Sequence, residues 1–437
     1  MHLLRPSAAL ALLLTACPGG GSNASSTDNS SATGDDSATT AASSAASSTA
    51  GSATADPTTT PGSDSTAEIP TSTTPTTGPD ESSGDPTGAP AEGCDGAKLL
   101  AVPEDTSLPG PWPVGARTVE FSGLTIEVWY PATPGSQADL EPIQYDIRTS
   151  LPDTEQAKVP DDANPWQPCD CYRDLPLDAD HGPYPPVIFI HGTAGFRSQS
   201  LEQVTHWASR GFIVLAADHP GLWLHDLLGQ LCGVQAPAQN LAADIATLVG
   251  GVKAPVGALA FIADHVDATR IAMAGHSAGG MAIKGSGGVA QVLIPMAAGG
   301  VSAGAALQST LIMGAQSDQV VNYDSQTAGY ADSPARKRLV GIANAGHLAF
   351  SSLCSLHNAA DQDFLEIAAQ YEVCGAQFAG ALFDCKDTYT PDATNWAITN
   401  YATSAALEET LHCSDAGANF AKLQAKFPEV GEFQEAL

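Results

Sequence analysis

Short apolar runs alternate with segments of helical periodicity along much of the chain. Most of these runs are apolar at every position, which is typical of parallel strands buried on both faces of a sheet. The pattern predicts eight strands, at 118–121, 124–130, 187–190, 212–216, 270–274, 292–295, 310–313 and 339–342. The first two would form a hairpin, and helices are predicted at 199–209 and 238–252. We therefore expect an α/β protein with a mostly parallel eight-stranded sheet and helices on both faces.

Two segments do not follow this alternation. Residues 139–182 are rich in Pro and Asp, and residues 348–437 have mostly helical periodicity.

The first 93 residues have a different character from the rest. Residues 1–17 have the pattern of a secretory signal, with Arg5 before an apolar stretch that is too short to span a bilayer. Leu14-Thr15-Ala16-Cys17 is similar to the bacterial lipobox, which predicts that Cys17 is lipidated and becomes the mature N-terminus; the alternative is ordinary signal cleavage. Residues 18–93 hold 32 Ser or Thr and no aromatic residue, which predicts a disordered tether.

The folded part is expected to span residues 94–437, with a catalytic core at about 112–350 and a cysteine-containing helical extension at about 351–437. The whole chain has a formal charge of −31, and residues 94–437 alone hold 38 acidic and 16 basic residues. This charge excludes a nucleic-acid partner bound through a basic patch. We expect an exported protein, lipid-anchored at the bacterial cell envelope, with a periplasmic or secreted location as the alternative.

Eight cysteines follow Cys17, and an even number in an exported chain predicts disulfides. Those beyond residue 350 would pin the C-terminal extension to the body or to itself. The alternative interpretation is a metal site at Cys169-Asp170-Cys171, with His181 as a further ligand.

The strongest chemical signal is Gly275-His276-Ser277-Ala278-Gly279, between a predicted strand and a helix. A Gly-x-Ser-x-Gly sequence in this context is typical of a sharp turn that exposes a nucleophilic serine at the carboxyl edge of a sheet. Ser277 is therefore the predicted nucleophile, and its neighbour His276 is expected to be structural.

A serine hydroxyl needs a base to accept its proton, and the base needs an acid to orient it. Asp318 follows the strand at 310–313 and His347 follows the strand at 339–342, in the chain order Ser, Asp, His. We predict Ser277, Asp318 and His347 as a triad, with Asp324 as a weaker candidate for the acid.

The negatively charged oxygen formed during acyl transfer needs two backbone N–H donors. Ala278, which follows the nucleophile, is one predicted donor. The turn after the strand at 187–190 should supply the other, and we favour Thr193, with Ala194 as the alternative.

Five sequence segments besides the serine motif resemble the α/β-hydrolase superfamily: 114–118, 127–131, 190–197, 211–214 and 218–221. Within that superfamily the chain resembles the group of platelet-activating-factor acetylhydrolases, dienelactone-hydrolase-related esterases and cutinase-like polyester hydrolases. The resemblance covers about residues 112–350 and implies an α/β-hydrolase sandwich with the triad and oxyanion donors named above. The chain continues for 90 residues beyond His347, and this tail could cover the pocket.

These features predict a serine ester hydrolase that works through an acyl-enzyme and needs no cofactor and no metal. The expected substrates are small or lipid-like neutral esters with short to medium acyl chains, and Trp223 is a candidate pocket residue. A thioesterase, a lipase or polyester hydrolase, and a serine peptidase use the same machinery and remain alternatives. A surface binding protein on a catalytically inactive hydrolase scaffold is an alternative from a different class.

Overall fold

A computed structural model describes residues 90–437. The predicted signal with Cys17, and the predicted tether as far as residue 89, lie outside the described residues. The described part opens with a strand at Pro90–Glu92, four residues before the expected start of the folded part at residue 94. No helix among the described residues is both long and apolar enough to cross a membrane.

A ten-stranded mixed sheet forms the centre of the described part, and two short two-stranded sheets accompany it. The strands are β1 (Pro90–Glu92), β2 (Lys98–Leu100), β3 (Val114–Phe121), β4 (Leu124–Pro131), β5 (Gln144–Tyr145), β6 (Gln167–Pro168), β7 (Tyr172–Arg173), β8 (Pro186–Ile190), β9 (Ile213–Ala217), β10 (Ala272–His276), β11 (Val292–Met296), β12 (Ser309–Ala315), β13 (Lys337–Ile342) and β14 (Val430–Ala436). The order in the large sheet is β14-β13-β12-β11-β10-β8-β9-β4-β3-β7.

All eight predicted strands have a counterpart, but the predicted strand number is wrong because β7 and β14 extend the sheet at its two edges. The sheet is also mixed. Its six central strands from β9 to β13 are parallel, whereas β4 pairs antiparallel with β9 and β14 pairs antiparallel with β13. β14 lies in the segment predicted to be mostly helical. An edge strand with largely exposed side chains needs no apolar run, so its sequence carried no strand signal.

The helices are α1 (Asp153–Gln156), α2 (Leu201–Ser209), α3 (Leu224–Leu231), α4 (Leu241–Lys253), α5 (Ala278–Ala282), α6 (Tyr323–Asp332), α7 (Phe364–Gln370), α8 (Ala376–Ala379), α9 (Asp392–Leu411) and α10 (Leu423–Lys426). Short 3-10 helices lie at Cys94–Gly96, Ile147–Ser150, Gly257–Ile262, Ile283–Gly288, His347–Phe350, Leu353–Ser355 and Asp415–Lys422.

The two faces of the large sheet are buried against different helices, because successive residues of a strand point to opposite faces. Phe189 of β8 belongs to a core cluster that includes Trp207 of α2 and Ala405 of α9. Its neighbour Ile188 belongs to the opposite cluster, which includes Leu248 of α4. The chain is therefore an α/β protein with helices on both faces, and α9, from the C-terminal extension, packs as part of the core.

Four disulfides join the eight cysteines of the described part, which confirms the prediction that they are oxidised. The pairs are Cys94–Cys413, Cys169–Cys171, Cys232–Cys374 and Cys354–Cys385. The alternative of a metal site at Cys169 and Cys171 is wrong, since these two sulfurs bond to each other. Cys374 and Cys413 pin the extension to the body, and Cys354–Cys385 closes a loop within it.

Candidate active site

Ser277 occupies a strained turn between β10 and α5, with φ of 53° and ψ of −118°. The turn requires glycine on both sides of Ser277, because neighbouring backbone atoms lie very close to these two positions. A Cβ atom on Gly275 would lie 2.5 Å from the carbonyl carbon of Gly279, and one on Gly279 would lie 2.1 Å from the carbonyl oxygen of Ile190. A side chain at either glycine would push the helix away from the sheet, so the motif is required to hold Ser277 at the carboxyl edge.

Asp318 and His347 lie beyond the carboxyl ends of β12 and β13, and the structure brings them into contact. Nδ1 of His347 is 2.8 Å from Oδ2 of Asp318, and both side chains are buried. Oδ1 of Asp318 accepts hydrogen bonds from the main-chain N–H groups of Val320 and Val321, each at 2.8 Å. A carboxylate held in this way keeps the proton of His347 on Nδ1 and leaves Nε2 free to accept one.

The alternative acid, Asp324, is exposed in the first turn of α6. Ser277 and His347 line the same cavity, although no hydrogen bond joins the Ser277 hydroxyl to His347 in the described part. A nucleophile–base hydrogen bond is often formed only with substrate bound. The arrangement thus pairs the predicted acid with the predicted base and places the predicted nucleophile at the cavity that His347 lines.

Most N–H groups of the turn after β8 are already used within the protein. Gly192 N–H donates to Oε1 of Gln199 at 3.0 Å, Ala194 N–H to the carbonyl of Leu222 at 2.9 Å, and Gly195 N–H to the carbonyl of Gly192 at 3.0 Å. Thr193 lines the cavity, and its N–H has no protein acceptor among residues 90–437. The geometry therefore favours Thr193 over the alternative Ala194 as an oxyanion donor, beside Ala278 at the start of α5.

His276 links two other parts of the site. Its Nδ1 is 2.9 Å from the side-chain nitrogen of Gln199, and its Nε2 is 2.8 Å from the carbonyl oxygen of His347. Burial lowers the pKa of His276 to about 3, so the ring is neutral near pH 7. A neutral ring accepts from Gln199 at Nδ1 and donates to His347 from Nε2, which fits the structural role expected for it.

The cavity beside Ser277 is small, about 60 Å³, and its wall is mostly apolar. The apolar side chains of the wall include Phe196, Leu224, Leu353, Phe364, Leu382 and Phe383. Trp223, the predicted pocket residue, does not line this cavity; its ring stacks on His225 instead, and the next residue, Leu224, reaches the wall. The prediction for Trp223 is one residue out of place, because α3 begins at Leu224 and turns that side chain inward.

Within residues 90–437, no three or more His, Cys, Asp or Glu side chains form a group that could hold a metal ion. Two residues around the site were not predicted, Gln199 and Asp384. Gln199 contacts the main chain of Gly192 and the ring of His276, and Asp384 contacts the main chain of His347 and Gln319. No sequence motif marks either residue.

Residues 166–221 match the family described as platelet-activating factor acetylhydrolase, isoform II. No curated protein matches the chain. The matched segment contains β8, α2 and β9 together with the turn that carries Thr193. Over this stretch of the chain, the protein is similar to the platelet-activating factor acetylhydrolase isoform II family.

Proposed function

We propose that this protein is a serine hydrolase of the α/β-hydrolase fold that cleaves carboxylic esters through an acyl-enzyme intermediate. The observation that carries the proposal is the buried 2.8 Å contact between His347 and Asp318 at the cavity that Ser277 lines. The similarity of residues 166–221 to an acetylhydrolase family supports the same reaction class.

In the proposed reaction, Oγ of Ser277 attacks the ester carbonyl carbon and its proton passes to Nε2 of His347. The N–H groups of Thr193 and Ala278 stabilise the negatively charged oxygen that forms. When the tetrahedral intermediate collapses, His347 returns the proton to the departing alkoxide, which leaves as an alcohol. Water then attacks the acyl-enzyme with His347 again as base, and the acid and free Ser277 are released. Each step uses protein groups and water, so the proposal includes no cofactor.

The cavity also bears on the substrate class. A space of about 60 Å³ with an apolar wall suits a short acyl group, and a long chain would need the wall to move. We therefore propose small neutral esters with short to medium acyl chains as substrates. The acidic surface disfavours anionic esters during approach, with an effect that shrinks as salt is raised. Thioesters fit the same machinery and form the second candidate substrate class.

A fluorophosphonate probe, which labels activated serines, tests the proposal directly. We expect one label on Ser277 in the wild-type protein and none in Ser277→Ala, together with hydrolysis across a panel of acyl esters, thioesters and peptides that is fastest for short esters. An unlabelled and inactive wild-type protein would favour the non-catalytic binding protein instead.

We also propose that the enzyme is exported and lipid-anchored at the bacterial cell envelope through Cys17. The four disulfides of the described part agree with an oxidising compartment.

A further inference from the structure

The C-terminal extension is bound tightly to the loop that carries His347. The side chain of Asn344 donates to the carbonyl of Thr388 at 2.5 Å, and Thr390 N–H donates to the carbonyl of Asn344 at 2.9 Å. The hydroxyl of Thr390 donates to the carbonyl of Ala343 at 2.8 Å. Residues of the extension thus supply hydrogen-bond partners for Ala343 and Asn344, two of the three residues between β13 and Gly346.

Gly346, immediately before the base, reveals how closely the two segments pack. A Cβ atom at this position would lie 2.1 Å from the ring of Tyr389 and 2.9 Å from the carbonyl oxygen of Asp384. The base loop and the extension can therefore approach only because residue 346 has no side chain.

Asp384 contacts the main chain of both loops of the proposed triad. Its Oδ2 accepts from the N–H of His347 at 3.1 Å and from the N–H of Gln319, the neighbour of Asp318, at 3.3 Å. Its Oδ1 accepts from the hydroxyl of Tyr389 at 2.9 Å, and its side chain is only 7% exposed. One carboxylate therefore connects the acid loop to the base loop from a segment outside both.

The ionised form of Asp384 is the one that these contacts favour. Burial by itself would raise the pKa of Asp384, but the hydrogen bonds from His347, Tyr389, Gln319 and the ammonium group of Lys386 together outweigh burial and lower it. An ionised carboxylate accepts N–H hydrogen bonds about twice as strongly as a neutral group.

A disulfide holds this carboxylate in place. The next residue, Cys385, is bonded to Cys354, which lies just past the 3-10 helix that begins at His347. The two residues before Asp384, Leu382 and Phe383, line the cavity beside Ser277. One anchored segment thus contributes both to the wall of the cavity and to the support of the base.

We propose that Asp384 is a positioning residue of the hydrolase, and that the Cys354–Cys385 disulfide holds it against the main chain of His347 and Gln319. The proposal rests on the proposed function, since it assigns a role in setting the geometry between Asp318 and His347. Asp384 does not touch the reacting atoms. It acts by fixing the backbone from which the imidazole projects, and a misplacement of about 1 Å in a catalytic group can cost on the order of 100-fold in rate.

Asp384→Ala and Asp384→Asn test the carboxylate, with Asp387→Asn as the matched control. Asp387 lies in the same segment, is exposed, and makes no hydrogen bond or ion pair within the described residues. We measure kcat per active site, counted by fluorophosphonate titration, together with KM and Tm. Counting active sites separates slow turnover from a loss of folded enzyme.

For Asp384→Ala we expect kcat per titrated site to fall about 10- to 100-fold with KM within about twofold of wild type. Asp384→Asn keeps one oxygen acceptor and should recover part of this loss, and Asp387→Asn should match wild type. Full kcat per site in Asp384→Ala would overturn the proposal, as would a loss confined to the fraction of titratable sites.

The double variant Cys354→Ser/Cys385→Ser tests the anchor, with Cys94→Ser/Cys413→Ser as the control disulfide. The first should lower kcat and also raise KM, because the same segment lines the cavity; the second should lower Tm with kcat per site unchanged. Equal effects of the two double variants on kcat would overturn the role of the anchor. A wild-type protein that neither hydrolyses esters nor takes the label would instead overturn the proposed function, and this inference with it.

Discussion

The side-chain amide of Gln199 donates a hydrogen bond to Nδ1 of His276, with 2.9 Å between the two nitrogens. The other end of the same amide accepts from the N–H of Gly192, and His276 in turn donates to the carbonyl of His347. The three loops that carry Thr193, Ser277 and His347 are thereby joined by one buried chain of hydrogen bonds. The stabilisation from a network of this kind can exceed the sum of the contributions of its individual hydrogen bonds.

We predict that Gln199→Met lowers kcat about 10-fold or more, because it leaves Gly192 N–H and His276 without their partners. Gln203→Met is the matched control. Gln203 is also fully buried, in α2, but neither end of its amide has a partner within the described part. Its replacement should leave kcat unchanged and the protein at least as stable. Equal kcat in the two variants would show that the chain of hydrogen bonds has no role in turnover.

Ser277→Ala should lower kcat by about 10⁴-fold or more, and His347→Ala should cost nearly as much, since triad members act as one unit. Initial rates on a short soluble ester, with circular dichroism to check folding, provide the measurement. If either variant retained most of its ester hydrolysis while folded, the triad assignment would be wrong.

Phe383→Ala should widen the cavity and move the preference from short acyl esters toward longer ones, because it removes an aromatic side chain from the wall. Phe378→Ala is the control, from the same segment but not lining the cavity. The ratio of kcat/KM for a butyryl and an octanoyl ester measures the change. An unchanged ratio in Phe383→Ala would mean that the acyl chain binds elsewhere.

Acid should destabilise the protein below about pH 6.5. Burial lowers the pKa of His206, His276 and His412 to about 3 each, whereas a histidine in the unfolded chain titrates near 6.5. The unfolded state therefore binds more protons between these values, and the stability present above pH 6.5 is lost as the pH falls toward 3. Each histidine should contribute a slope of about 1.4 kcal/mol per pH unit in the free energy of unfolding.

Urea denaturation at a series of pH values from 7 to 4 measures this slope. His206→Gln keeps a donor for the carbonyl of Thr106 but cannot be protonated. It should therefore lower the slope by the contribution of one histidine, about 1.4 kcal/mol per pH unit. A free energy of unfolding that is flat across this range would contradict the assignment of neutral buried histidines.

Cys17→Ser should release the protein from the membrane fraction, because two acyl chains at about 0.8 kcal/mol per buried CH₂ anchor far better than none. Fractionation of cells that express each form measures this. Equal partitioning of the two forms would contradict a lipid anchor at Cys17.

The placement of the candidate site residues was predictable where it depends on local sequence. Ser277 is marked by two glycines that its own turn requires, and Asp318 and His347 by their positions after apolar strands. Thr193 follows from the turn after β8. Asp384 could not be predicted, because it reaches His347 through a main-chain contact across 37 residues of sequence. β14 was missed for a related reason: its pairing with β13 is supplied by backbone groups, which leave no pattern in the side chains.

The Cys94–Cys413 bond has a mechanical consequence. It joins residues 319 positions apart, so tension applied between Pro90 and Leu437 crosses from one cysteine to the other without passing through the chain in between. The load falls on the two ends of the described part, residues 90–93 and 414–437, and within the second of these β14 pairs antiparallel with β13. Under tension β1 and β14 would therefore detach before the strands between the two cysteines, while β8, β10 and β12 stay unstretched. Ser277, Asp318 and His347 can therefore stay in place while the chain is being pulled.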